Sequence, residues 1–95
     1  NNGDTMKLLA AKTATTATEL SLGKATAVAV YASAISIISV VKNDGTEGGT
    51  SGTVQGSVTV PAASLTVIHK DTDQFILANV TNGTYTKIAD GGPSR

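Results

Sequence analysis

Short stretches of alternating apolar and polar residues run along the second half of this chain, separated by turn-forming residues. "TVQGSVTV" at residues 53–60 alternates, with valines on one face and Gln, Ser and Thr on the other. "SLTVIHK" at residues 64–70 alternates in the same way, and "TYTKIA" at residues 84–89 continues the pattern. Because successive side chains of a β-strand point to opposite faces, this period of two predicts β-strands.

The longest apolar segment covers residues 25–41 and has two interpretations. As a single helix it would be apolar on nearly every side and crowded with β-branched residues. As strands it divides into residues 26–31 and 35–42, joined at "ASA". We favour the strands, with both faces covered, so that residues 28–41 form the core or a subunit interface. The segment is shorter than the ~20 apolar residues of a membrane-spanning helix, so no membrane partner is expected.

The whole pattern predicts an all-β fold, a small antiparallel β-sandwich or barrel of six to seven short strands with an extended N-terminal arm. We divide the chain into the arm at residues 1–18, a β-domain at 19–90 and a flexible tail at 91–95. Within the arm, "MKLLAAK" is a first strand or a short helix, and "TATTAT" is an extended linker or an edge strand. The glycine-rich residues 43–52 predict a flexible hairpin loop, and Asn82-Gly83 a turn.

Composition limits the function further. The 95 residues carry no net charge, contain no Cys and only three aromatic residues. Nucleic-acid binding is therefore not expected, since it uses basic patches and aromatic stacking. The apolar residues are mostly Ala and Val, so the core is thin, and association with copies of itself or a larger partner is the expected remedy.

The charged stretch at residues 69–73, "HKDTD", is the strongest candidate for chemistry. His69 with Asp71 or Asp73 could form an acid–base pair or a weak metal site. We favour a structural corner, in which Asp71 caps one helical or 3₁₀ turn and Lys70 serves solubility or edge protection. No nucleophile motif accompanies these residues. We therefore predict no catalytic residue, no cofactor and no metal site, and a protein that is not an enzyme. The two N-x-[ST] matches at Asn79 and Asn82 are interpreted as turn residues.

The segment "GSVTVPAASLTVIHKDTDQFILAN", preceded by "AVAVYASA" and a glycine-rich loop, resembles small virion structural proteins of tailed bacteriophages, especially phages of marine bacteria. The resemblance covers residues 27–89. It consists of a strand, a Pro-containing turn, a second strand ending in Lys70, and a short turn with Asp73 followed by an apolar stretch. "KDTDQF" departs from the family pattern because it lacks a proline within the turn.

This resemblance implies a capsid decoration (cement) subunit on the virion surface, which stabilises the head by binding major capsid proteins. It also implies self-association, with a homotrimer as one arrangement. We expect partner contacts in residues 6–18 and 43–52, which have the least ability to pack alone. The alternative is an extracellular filament or surface-layer subunit that assembles by β-strand addition.

Overall fold

The computed structural model describes residues 6–42, 44, 46–80 and 82–90, and these contain nine antiparallel β-strands. The expected tail at residues 91–95 and the first five residues of the arm lie outside the described residues. The strands are β1 (Met6–Leu8), β2 (Thr13–Ala14), β3 (Glu19–Leu20), β4 (Ala27–Ala32), β5 (Ser36–Val41), β6 (Val54–Val60), β7 (Ser64–His69), β8 (Phe75–Asn79) and β9 (Thr84–Asp90).

Two sheets form the β-sandwich. Sheet 1 has the order β1-β9-β4-β7, with β2 pairing the same strand, β9, as β1 does. Sheet 2 has the order β3-β8-β5-β6. The sequence prediction of an all-β fold is confirmed, and the sandwich replaces the barrel.

The main core lies between the sheets, because the inward-facing residues of both are small and apolar. Its buried members are Val28, Val30, Ala32, Ile38, Val60, Ile76, Ala78 and Val80. Leu22, Val40, Ile68 and Tyr85 pack against this core from its rim. Each fully buried Val or Ile contributes about 1.5–3 kcal/mol relative to its exposed state.

The apolar segment at residues 25–41 is two strands, as the sequence favoured, and the strands belong to different sheets. The chain crosses from sheet 1 to sheet 2 at residues 33–35. β4 is buried on both faces because Val28 and Val30 point into the core while Ala27 and Ala29 join a second cluster with Ile88.

The described residues contain more strands than the six to seven expected, because β3 and β8 were not predicted. At β8 the sequence indicated one helical or 3₁₀ turn instead. Two short strands lie in the arm. β1 pairs β9 through Leu8 opposite Ile88, and β2 pairs it through Thr13 opposite Tyr85. Thr15 then donates its Oγ1 to the carbonyl of Val80 at 2.9 Å. The described part of the arm therefore belongs to the edge of sheet 1.

The turn between β8 and β9 has backbone and space requirements that Asn82 and Gly83 meet. Asn82 has a φ of 53°, which Asn tolerates better than most residues. Gly83 is buried, and a Cβ there would collide with Val80 Cγ1 and lie 2.6 Å from the carbonyl oxygen of Tyr31. The Asn-Gly pair thus satisfies a left-handed backbone and a close approach in one turn.

Candidate functional site

Three rows of side chains on the outer face of sheet 1, which points away from the core, are mostly apolar, with His69, Thr84 and Thr86 as their polar members. Register places these side chains in cross-strand rows, since residues directly opposite one another share a face. One row runs Leu8, Ile88, Ala27, His69. The next has Thr86, Ala29, Val67, and the third has Ala14, Thr84, Tyr31, Leu65.

No Asp, Glu, Lys or Arg occurs in these three rows, which we call the outer face. An antiparallel sheet with one solvated face usually alternates apolar residues inside with polar residues outside. Here the outward positions include Leu65, Tyr31 and Val67, which are 57%, 39% and 37% exposed. They lie beside the buried Ala27, Ala29 and Ile88. The accessible apolar part of this face is therefore the group Leu65, Tyr31 and Val67. Neighbouring exposed apolar side chains of this kind are typical of a protein contact.

β6 presents a second feature, a free sheet edge. It ends the strand order of sheet 2 and pairs β5 alone among the described strands. Six of its seven residues are exposed, and "VQGSVTV" carries no charge and no proline. Natural proteins usually protect such an edge with charges, Pro or a covering segment. The one protective device in β6 is a register irregularity at Gln55–Gly56.

The opposite edge of sheet 2, at β3, is closed by the glycine-rich loop. The backbone N–H of Glu19 donates to the carbonyl of Gly49 at 2.9 Å, and the N–H of Gly48 donates to the carbonyl of Glu19 at 2.7 Å. Ser21 N–H donates to Glu47 Oε1 at 2.9 Å. The loop therefore continues the sheet past β3.

Glu19 itself is fully buried, and its carboxylate holds this loop in place. Oε1 accepts the N–H of Thr46 at 2.9 Å, and Oε2 accepts the N–H of Gly52 at 2.7 Å. Its register opposite Leu77 puts the side chain on the side of sheet 2 away from the core. Charge-assisted bonds to backbone N–H groups are among the stronger hydrogen bonds in proteins. The expected slack loop is thus pinned at both ends of residues 46–52.

Sequence reasoning missed Glu19. Its only signal was an isolated carboxylate in an apolar neighbourhood, together with a distant loop rich in glycine N–H groups. We expected residues 43–52 to contact a partner because their sequence indicated little ability to pack within the chain. Residues 46–52 do pack within the chain, so that argument does not apply to them. Residues 43 and 45 lie outside the described part of the chain.

The charged stretch forms a structural corner, as favoured, and it contains a single hydrogen-bonded turn with an i→i+3 bond and no helix. Gln74 N–H donates to the carbonyl of Asp71 at 3.1 Å, and Gln74 Oε1 accepts the N–H of Asp71 at 2.8 Å. This is a tight turn between β7 and β8. His69 and Asp71 both line an open cleft of about 590 Å³, with Thr26, Lys70, Thr72 and Gln74.

Lys70 is the unexpected member of this corner, because it is only 6% exposed. Its backbone N–H donates to the carbonyl of Thr26 at 2.9 Å, and its Nζ donates to the carbonyl of Asp71 at 3.2 Å. Burial lowers the pKa of Lys70, while Asp73, Asp71 and Glu47 oppose that shift. Lys70 is therefore a buried residue whose hydrogen bonds stabilise the corner. The sequence had indicated an exposed, solubilising charge.

Among the described residues, no group of three or more His, Cys, Asp or Glu side chains is arranged to hold a metal ion. No helix in the same residues is long and apolar enough to cross a bilayer.

Comparison with known proteins gives no family for this chain. No family model matches it, and neither the curated proteins nor the solved structures yield a match.

Proposed function

We propose that this protein is a structural subunit of a bacteriophage virion, and more closely a capsid decoration subunit that binds major capsid proteins. The observation that carries the proposal is the apolar outer face of sheet 1. In this role the face lies against the capsid lattice, which covers Tyr31, Leu65 and Val67. The resemblance of residues 27–89 to small virion structural proteins supports a bacteriophage particle as the assembly.

A role in assembly requires a rigid domain with an adhesive surface and no reaction centre. The sandwich supplies the rigid domain through its two sheets and the pinned loop at Glu19. The corner at residues 69–74 supplies further hydrogen bonds to the backbone. We therefore assign no catalytic step to His69 or Asp71, and no cofactor.

The first test is quantitative mass spectrometry of purified phage particles that carry the gene for this chain. A decoration subunit is expected in a fixed ratio to the major capsid protein, with a copy number comparable to it. Absence from the particle, or a ratio typical of a few-copy tail component, would contradict the proposal.

The second test uses the outer face. Particles stripped of the subunit are mixed with purified wild-type chain, with Leu65→Lys, or with Ile37→Lys as a matched control. Ile37 is 52% exposed on β5, an interior strand of the other sheet, so both changes replace an exposed strand residue by the same charge. We expect at least about tenfold weaker binding for Leu65→Lys. Equal binding of the two variants would show that the outer face does not contact the capsid.

The free edge of β6 favours a second candidate, a filament or surface-layer subunit that assembles by β-strand addition. An exposed edge is a ready template for pairing with another chain. Light scattering over a concentration series separates the two. Open-ended growth supports the filament, and a closed oligomer supports the virion subunit.

A further inference from the structure

We infer that β6 pairs with β6 of a second copy, antiparallel and about a two-fold axis through Val58, so that two copies share one continuous eight-stranded sheet. The inference deepens the proposed function, since it rests on the expected self-association and names its surface. The partner is specified by chemistry, because an unpaired strand edge presents alternating N–H and C=O groups that another extended backbone satisfies.

The edges of the sandwich differ in how open they are. The edge at β3 is occupied by the backbone of Gly48 and Gly49. The edge at β1 carries Lys7 within its three residues. β6 has seven residues and no charge, and its exposure is continuous from Val54 to Thr59. β7, the other edge of sheet 1, has six residues and also lacks Asp, Glu, Lys and Arg, but its exposed residues alternate with half-buried ones. Among the described strands β6 is therefore the longest free edge without these charged residues, and the one with continuous exposure.

The regular part of β6 is short and bounded at both ends. The register irregularity at Gln55–Gly56 interrupts the ladder on one side, and Pro61 follows the strand on the other. Pro has no N–H to donate, so pairing cannot continue through it. The five residues 56–60 that remain fix where a partner strand can align.

Those five residues are complementary to themselves when read in reverse. With the axis at Val58, Val58 meets Val58, Gly56 meets Val60, and Ser57 meets Thr59. The pleat keeps partners on the same face, so apolar side chains meet apolar ones and hydroxyls meet hydroxyls. Every pair is favourable or neutral, and none opposes like charges.

Val58 gains most from this pairing. Register with Ile38 places it on the core-facing side of sheet 2, yet it is 44% exposed because the sheet ends there. A second copy would extend the sheet and bring the other Val58 to about 4.5–5.5 Å between Cβ atoms. The apolar core edge at Val58 of one copy would thus contact the same core edge of the second copy.

The test measures molecular mass by light scattering across a concentration series for the full chain, Val58→Lys and Val58→Glu. We expect wild type to form dimers, and each variant alone to raise the dissociation constant about tenfold or more, because like charges would lie directly opposite. Mixing the two variants should restore the dimer, since Lys then faces Glu only in the proposed register.

Controls keep the outcomes distinct. Leu65→Lys changes the outer face and should leave the dimer intact, and thermal unfolding confirms that each variant folds. A wild-type monomer at all concentrations, or a dimer unaffected by both Val58 variants, would overturn the inference. So would a dimer lost only with Leu65→Lys. Particle binding is measured separately, so the decoration role can fail while the dimer stands, or the reverse.

Discussion

The carboxylate of Glu19 accepts the backbone N–H of Gly52 at 2.7 Å, although the two residues lie 33 positions apart. The same carboxylate accepts the N–H of Thr46 through its other oxygen at 2.9 Å. One buried side chain therefore fixes both ends of a loop whose middle, at Gly48 and Gly49, also pairs with the backbone of Glu19.

Replacing Glu19 by Gln should destabilise the fold by about 2 kcal/mol, because one oxygen acceptor becomes an NH₂ group that faces a backbone N–H. Urea denaturation measures this loss as a lower midpoint. The matched control is Glu47→Gln, whose exposed carboxylate accepts only Ser21 N–H among the contacts seen here. That control should cost less than about 1 kcal/mol. Equal losses for the two variants would show that burial of Glu19 has no special weight.

Gly83→Ala should destabilise by about 1–3 kcal/mol, because the new Cβ has no room beside Val80 and the Tyr31 carbonyl. Gly56→Ala is the control, since nothing lies within 4 Å of its would-be Cβ. It should change stability by less than about 0.5 kcal/mol. Thermal unfolding of both variants checks the contrast. A neutral Gly83→Ala would mean that the β8–β9 turn relaxes freely.

The pH dependence of stability should report on Lys70. Burial lowers its pKa in the folded state below the ordinary value of 10.5. Between the lowered pKa and 10.5 the unfolded chain binds more protons at this site than the folded one, so stability from this group rises with pH. Below the lowered pKa both states are charged, and the full cost of burying the charge is present.

Lys70→Met removes this dependence, so it is the comparison to make. Measured by urea denaturation, the stability of wild type relative to Lys70→Met should improve from neutral pH to about pH 10. Lys12→Met serves as control, because Lys12 is exposed. A constant difference between wild type and Lys70→Met over this range would contradict the burial of an ammonium group.

Deletion of residues 1–18 should lower stability by more than about 2 kcal/mol, since it removes β1, β2 and the Thr15 contact with Val80. Loss of particle binding after this deletion would therefore not show that the arm touches a partner. Leu8→Ser and Leu9→Ser are better probes, because both side chains are exposed. If the arm contacts the capsid, these variants keep their fold and bind particles less.

The period of two along the chain placed β6, β7 and β9 close to their observed bounds. β8 was not predicted as a strand, because Asp71 and the residues after it indicated one helical or 3₁₀ turn. "VQGSVTV" and "SLTVIH" are strands as predicted. In β7 exposed residues alternate with half-buried ones, whereas six of the seven residues of β6 are exposed. The division of residues 25–41 followed from β-branched residues and the "ASA" break. Local chemistry decides all these features, so local sequence reveals them.

Features that depend on distant partners could not be read in the same way. β3 has two residues, too few to show any periodicity, and it exists because β8 and residues 48–49 flank it. Glu19 is buried because N–H donors arrive from 27 and 33 positions away. The apolar outer face became visible only once register aligned β4, β7 and β9.

β9, the last strand in sequence, occupies an interior position in sheet 1, with β4 on one side and β1 and β2 on the other. During synthesis, the backbone N–H and C=O groups that the early strands share with β9 therefore stay unpaired until residues 84–90 have left the ribosome. A nascent chain stalled before that point would expose both β4 and the arm. We expect such chains to be prone to aggregation and dependent on chaperones. Once β9 is complete, it pairs with β1, β2 and β4 and so connects the arm to the rest of sheet 1.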